Sequence, residues 1–290
     1  MPLWKPTDIS AVKYSTAAGV PENTPETNLW LKTEDVVGAN WKDSSFQEYT
    51  ASHASAEPSK STTLKNNKTG LNFNGDKTLT VGPSNASTGP MDVGTDGYYV
   101  GAFVKHIDHD ATQVICCNDS SGAKFELRFS ASEKVVAALF QNDTATGSTT
   151  LANNTYYWAH SYRDGANAYA GFDDTRQDGS DTDSTDSISK DAAFHIGARA
   201  GSSLHFQSDI FEVLVIHQTP NLDDIKRIEG YVSHKFNNEG NLGASHEYKY
   251  GPPTCCHCVS EQTLSTSVLS SNPRNPAELS ENLNTYDERR

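Results

Sequence analysis

No stretch of this chain approaches the ~20 consecutive apolar residues a membrane helix needs, so nothing in it reads as a helical membrane span. Apolar residues are scarce in general. They make up 35% of the chain, against roughly 45–50% in an ordinary globular protein. Charge does not replace them: only 21% of residues are charged, so a charge-driven disordered chain is excluded too. Basic residues are also short, with 23 Lys+Arg against 37 Asp+Glu and a net charge of −14. A surface of that sign repels phosphates and argues against a nucleic-acid partner. Cysteine is sparse and odd in number, with 5 residues, so a complete set of internal disulfides is impossible. The first residues, Met1-Pro2-Leu3-Trp4-Lys5-Pro6, lack the apolar core of a secretory signal. The expectation is synthesis in a cytoplasm, with reduced thiols.

Ser, Thr, Asn, Asp and Gly fill the space instead, and these residues populate turns and the wet faces of strands. Pro2, Pro6, Pro21, Pro25 and Pro58 break up the first seventy residues, because Pro cannot serve a sheet interior. Within them, Leu29-Trp30-Leu31 suits one short strand, and Trp41-Lys42-Asp43-Ser44-Ser45 reads as a turn anchored by a buried indole. From Leu71 onward the pattern is β. Leu71 and Phe73, then Leu79 and Val81, alternate around Gly75-Asp76, which predicts a hairpin. Further strands are predicted at 98–104, 112–116, 124–129, 134–140, 156–162, 166–172, 193–197 and 210–217. Regular spacing of short strands between turn signals marks a sandwich or barrel. Phe125, Leu127 and Phe129 alternate with Lys124, Glu126 and Arg128, so that strand should bury one face and wet the other.

One helix is predicted after the last strand. Asn221 is its N-cap, and Asp223 and Asp224 favour the positive end of the dipole. Leu222, Ile225, Ile228, Val232 and Phe236 form one apolar stripe, and Asn237, Asn238 and Gly240 end it. From Gly251 a Pro-led linker carries Cys255-Cys256-His257-Cys258. A Ser/Thr-rich tail follows to Arg290, with one short helix signalled by Asn275-Pro276 and Glu278.

Three segments carry a family pattern: Phe194-His195-Ile196-Gly197-Ala198-Arg199, then Asp209-Ile210-Phe211-Glu212-Val213-Leu214-Val215-Ile216, then Ile228-Glu229-Gly230-Tyr231-Val232-Ser233-His234-Lys235-Phe236. Together with Gly240-Asn241-Leu242 and His246-Glu247-Tyr248-Lys249, and with Leu29-Trp30-Leu31, Trp41-x-Asp43 and Phe73-Asn74-Gly75-Asp76 nearer the N-terminus, this chain resembles the laminin-G-like, concanavalin A-like jelly-roll domains. The version without a secretory signal is similar to structural proteins of tailed bacteriophages, marine ones especially. The resemblance implies an all-β, antiparallel β-sandwich jelly roll with one C-terminal amphipathic helix and extended arms. It divides the chain into an N-terminal arm (1–28), a sandwich domain (29–250) and a linker with a polar tail (251–290). Fold alone does not give function, since lectins, glycanases and inert spacers share it.

Candidate chemistry is thin. Glycan hydrolysis generally uses two carboxylates at roughly 5–9.5 Å, which the resemblance places on one strand as Glu-x-Asp-x-x-Glu. No such run occurs. Asp209 and Glu212, three residues apart on a strand, should point to opposite faces. The expectation is therefore a protein that is not an enzyme, with no catalytic, cofactor or metal site assigned. Asp181, Asp183 and Asp186 in the acidic run Asp173–Asp186 could supply oxygen ligands to Ca²⁺, but the run lacks EF-hand order and reads more simply as a solvated loop. Cys255, Cys256, His257 and Cys258 have the donors for Zn²⁺ without its spacing. Shared metal sites, interchain disulfides and plain exposed thiols all stay open for that tract. Cys116 reads as a small buried hydrophobe. His106-x-x-His109, with Asp108 and Asp110, is a weaker metal candidate or a polar loop. Tyr98, Tyr99, Tyr156, Tyr157, Trp158, Tyr162 and Tyr169 could stack on sugar rings or simply pack the sheet.

The expected function is that of a virion structural protein, made in the host cytoplasm. It would be a capsid-surface decoration protein that docks through its arms on the major capsid protein. The alternative is a tail-fibre or receptor-binding adhesin that binds host glycans. Expected partners are other virion proteins, further copies of the chain and host surface glycans, with no nucleic acid and no membrane.

Overall fold

The computed structural model describes residues 26–253, apart from 38–39, 46, 48, 54–56, 83–89, 119–124, 140–142, 189–192 and 200–203. The two predicted arms, apart from residues 26–28 and 251–253, and the Cys255–Cys258 tract lie outside the described residues. Pro253 apart, the described residues belong to one compact unit.

Hydrophobic alternation and turn residues build a 16-stranded sheet, and every pairing in it is antiparallel. The N-terminal strands are β1 (Glu26–Val37), β2 (Asn40–Asp43), β3 (Thr50–Ser52), β4 (Ser59–Lys65), β5 (Lys68–Asn72) and β6 (Leu79–Val81). Then come β7 (Tyr98–His106), β8 (Gln113–Asn118), β9 (Phe125–Phe129), β10 (Val135–Leu139) and β11 (Asp143–Thr146). The last are β12 (Thr155–Asp164), β13 (Asn167–Phe172), β14 (Thr175–Asp181), β15 (Phe194–Ile196) and β16 (Asp209–His217), followed by helix α1 (Leu222–Phe236). The main path starts at β11 and runs through β10, β9, β8, β15, β6, β3, β2, β1, β16, β7, β12 and β13 to β14. Its ends meet. The backbone N–H of Thr144 donates to Asp181 Oδ2 at 2.7 Å, and that of Ser148 donates to the Asp178 carbonyl at 3.1 Å. The sheet is therefore nearly closed, which removes most open edges.

The central strands β1, β16, β7 and β12 are buried on both faces. Leu29, Leu31, Val100, Ala102, Val104, Ala159, Val213 and Val215 point into the core. Trp30, Tyr99, Phe103, Trp158, Leu214 and Ile216 are buried as well but lie outside that core cluster. They form the face on which α1 packs: the Phe236 ring stacks on Phe103 at 4.2 Å, and Tyr231 meets Trp30 edge-on at 5.9 Å. Burying an apolar side chain of this size stabilises by about 2 kcal/mol, so Ile225, Ile228, Val232 and Phe236 hold the helix without strong intrinsic propensity. Gly101 lies under Trp158, where an added Cβ would come within 2.2 Å of the indole.

The caps of α1 follow the sequence signals. Asn221 accepts the Asp224 N–H at 3.0 Å, and Asn237 adopts the left-handed conformation at φ 52°. Leu222 departs from the predicted stripe: it is 54% exposed, whereas Ile225, Ile228, Val232 and Phe236 are buried.

Three further expectations are corrected. The Leu71–Val81 segment is not a hairpin. Its turn exists, with Asn74 and Gly75 at positive φ, but β5 pairs with β4 and β16 whereas β6 pairs with β3 and β15. The acidic stretch expected to be a loop contains β14, paired to β13 from Thr175 to Asp181. Polar side chains suit it because it is a terminal strand with little to bury on its outer face. Finally, Asp209 and Glu212 do not oppose each other. A bulge between Ile210 and Glu212 shifts the alternation by one residue. Ile210 and Val213 both reach the core, which turns Asp209 and Glu212 to the same face.

Candidate functional site

A cleft of about 220 Å³ opens between β1 and the β4–β5 hairpin, lined by Thr33, Glu34, Val36, Lys60, Asn67, Lys68, Thr69, Gly70 and Leu71. The hairpin closes through Asn66 and Asn67, both at positive φ (50° and 60°). That is the geometry of a tight two-residue turn, in which Asn is well tolerated. Gly70 lines the cleft with its Cα side against the Phe211 ring, which an added Cβ would approach to 3.1 Å.

Glu34 is held at the cleft by two lysines. Lys68 Nζ lies 2.8 Å from Oε1 and Lys235 Nζ lies 3.1 Å from Oε2. Burial alone would raise the Glu34 pKa. The Lys235 charge and the hydrogen bonds from Lys68 and Lys235 outweigh it and hold the carboxyl at about 2. Glu34 is thus an ionised acceptor across the whole physiological range. Behind it, Lys235 donates to Glu212 Oε2 at 2.6 Å, and Glu212 Oε1 accepts from Trp30 Nε1 at 2.6 Å and from the Tyr231 hydroxyl at 3.1 Å. Burial works to lower the Lys235 pKa, but the charges of Glu212 and Glu34 raise it. One ladder of alternating charge therefore runs from the cleft to the layer beneath α1, and every buried member is paired, as burial of charge demands.

The residues singled out in the sequence fall elsewhere. Tyr98, Tyr99, Tyr157, Trp158 and Tyr162 are buried. Tyr156 and Tyr169 are half-buried: Tyr156 stacks on Phe103 with Lys65 Nζ 4.9 Å above its ring, and Tyr169 stacks on Tyr162 at 4.7 Å. His106 is fully buried, its Nε2 2.5 Å from Glu133 Oε2 and its Nδ1 3.0 Å from the Ala152 carbonyl. His109 Nδ1 accepts the Ala111 N–H at 3.2 Å, so the two imidazoles stabilise loops instead of converging. Cys116 is buried in the core, and burial pushes its thiol well up.

Asp181, Asp183 and Asp186 share a rim with Asp143, whose carboxyl is pushed up by burial and by the charges of the other three. Asp181 is committed to the Thr144 and Asp183 N–H groups. Among the described residues no group of three or more His, Cys, Asp or Glu is placed to hold a metal ion.

An antiparallel β-sandwich of lectin-like type is the class this architecture defines. No family model matches the chain, and no curated protein matches it either. Solved structures do. The sialidase of Trypanosoma rangeli in complex with sialic acid superposes with a TM-score of 0.53 at 13% identity, covering 79% of this chain and 37% of that one. The binding domain of botulinum neurotoxin serotype D gives 0.53 at 9% identity, covering 70% and 50%. Serotype G gives 0.52 at 11% identity, covering 71% and 51%. The chain therefore spans about half or less of the structures it matches, and at these identities the likeness is one of fold.

These matches correct the expectation that the chain is not an enzyme. That reading excluded glycan chemistry because paired carboxylates were missing, whereas the matched structures include sialidases, which use a tyrosine nucleophile instead. The missing motif is no ground for exclusion. The described residues do hold a tyrosine on a carboxylate, Tyr231 on Glu212 at 3.1 Å. Burial and the Glu212 charge push the Tyr231 hydroxyl well up, and the pair fastens helix to sheet.

Proposed function

We propose that the chain is a glycan-binding β-sandwich working by adhesion, with the β1/β4–β5 cleft as its sugar site. The carrying observation is Glu34: an ionised carboxylate at an open cleft, flanked by Lys60 and Lys68 and by the hydroxyls of Thr33 and Thr69. A fixed acceptor beside ammonium and hydroxyl donors suits the adjacent hydroxyls of a sugar ring, and Val36 and Leu71 offer its apolar face a wall. Sialidase and toxin binding-domain structures of the same fold support this reading.

In detail, we read the fold as the concanavalin A-like jelly roll of the laminin-G-like family. The resemblance to structural proteins of tailed bacteriophages supplies the setting, a virion. There the cleft favours the adhesin over the capsid decoration protein, and the segments 1–28 and 251–290 would dock on neighbouring virion proteins or on further copies of the chain. An array of bacterial surface glycans probed with the purified chain tests the central point, with sugar release scored in the same wells. Saturable retention of a glycan supports it, and retention of none overturns it. Copy number per particle separates the two positions: a few copies for an adhesin, lattice-linked numbers for a decoration protein.

A further inference from the structure

We infer that the cleft selects anionic saccharides, with Lys60 as the residue that reads the negative substituent. The inference rests on the glycan-binding reading of the same site. Its starting point is a local reversal of charge sign. The chain carries a net charge of −14, yet from Pro58 to Gly75 it contains Lys60, Lys65 and Lys68 and no acidic residue. That segment is the β4–β5 hairpin with its flanks, and it forms one wall of the cleft.

The lysines are not equivalent. Lys68 is spent on Glu34 at 2.8 Å, and Lys235, behind the floor, is divided between Glu34 and Glu212. Lys65 lies over the Tyr156 ring at 4.9 Å. Lys60 is exposed at the cleft and makes no ion pair among the described residues. Glu34, Lys68, Lys235 and Glu212 cancel, so Lys60 leaves the cleft with one positive charge in excess. Glu34 fixes the sugar through its hydroxyls, and the excess charge then favours a ligand that brings a carboxylate or a sulfate. A focused field of this kind selects by sign even where each contact is weak.

The test is calorimetric titration of the full chain with three oligosaccharides of matched length: an oligogalacturonate, which carries carboxylates only, a sulfated galactan fragment, which carries sulfates only, and a neutral galactan. The acidic ligands should bind about fivefold tighter than the neutral one, the worth of one partly exposed ion pair. That preference should shrink as salt rises from about 50 to about 500 mM, where screening removes it. Lys60→Gln should erase the preference and Lys60→Arg should keep it. Lys134→Gln, on the turn between β9 and β10, serves as the control for net charge and should change nothing. The two acidic arms distinguish carboxylate from sulfate recognition. Equal binding of neutral and acidic ligands, or a preference that survives Lys60→Gln, overturns the inference and leaves glycan binding standing. Binding of none of the three overturns the inference, while glycan binding itself stands or falls on the array.

Discussion

The two faces of the central strands follow different rules. Toward the core, β1, β7, β12 and β16 present Leu29, Leu31, Val100, Val104, Ala159, Val213 and Val215, all members of one buried apolar cluster. Toward α1 the same strands present Trp30, Tyr99, Trp158, His160 and Glu212, and most are joined by directed bonds. Trp158 Nε1 donates to the Tyr99 hydroxyl at 2.7 Å, and Trp30 Nε1 donates to Glu212 at 2.6 Å. The core face holds by area and tolerates small changes. The helix face holds by specific partners, so removing one strands another in a dry environment.

The largest expected effect breaks the comparison at its strongest point. Glu212→Ala removes one counter-charge of the buried Lys235 and the acceptor of Trp30 and Tyr231, and should cost about 3 kcal/mol in urea unfolding. Ile210→Val, two residues away on the core face, should cost about 1 kcal/mol. Equal costs would erase the distinction. Next, Gly101→Ala drives a methyl against Trp158 and should cost about 2 kcal/mol by overpacking, read in the same melts.

A smaller effect sharpens the comparison by pH, because ionisable groups concentrate on the helix side. Asp173 is buried, accepts from the Trp158 N–H at 3.0 Å and from Asn241 Nδ2 at 2.8 Å, and is pushed by burial from 3.8 to about 7. Folded Asp173 keeps its proton where the unfolded chain has lost it. Its contribution is therefore complete below pH 3.8 and is lost as pH rises to about 7. Asp173→Asn should flatten the decline in Tm across that window. Glu34 works in the opposite sense: its contribution is present above pH 4.5 and is lost as pH falls toward 2. The smallest effect is at Leu222, 54% exposed, where substitution by Gln should change stability by less than about 0.5 kcal/mol.

Local signals were legible in the sequence and non-local ones were not. The α1 caps depend on neighbours three residues away, so Asn221 and Asn237 could be read directly. Strand β1 is longer than the apolar Leu29–Leu31 run suggested, because Lys32–Asp35 continue as strand under polar side chains. The Asn66–Asn67 turn carried a signal that composition hid among so many other Asn and Thr residues. The bulge in β16 has no local signature; it follows from pairing with β7. The cleft could not be read at all, since Glu34, Lys60 and Lys68 become neighbours only when β1 and β5 come together around β16.

Titration of the isotopically labelled chain with a sugar retained on the array, followed by amide NMR, locates the sugar site. Shifts are expected to concentrate at Thr33–Val36 and Lys60–Leu71, and Glu34→Gln, checked by an unchanged fold elsewhere in the spectrum, should abolish them. Shifts centred on the Asp143 and Asp181–Asp186 rim instead, or shifts that persist undiminished in Glu34→Gln, would contradict the cleft as that site.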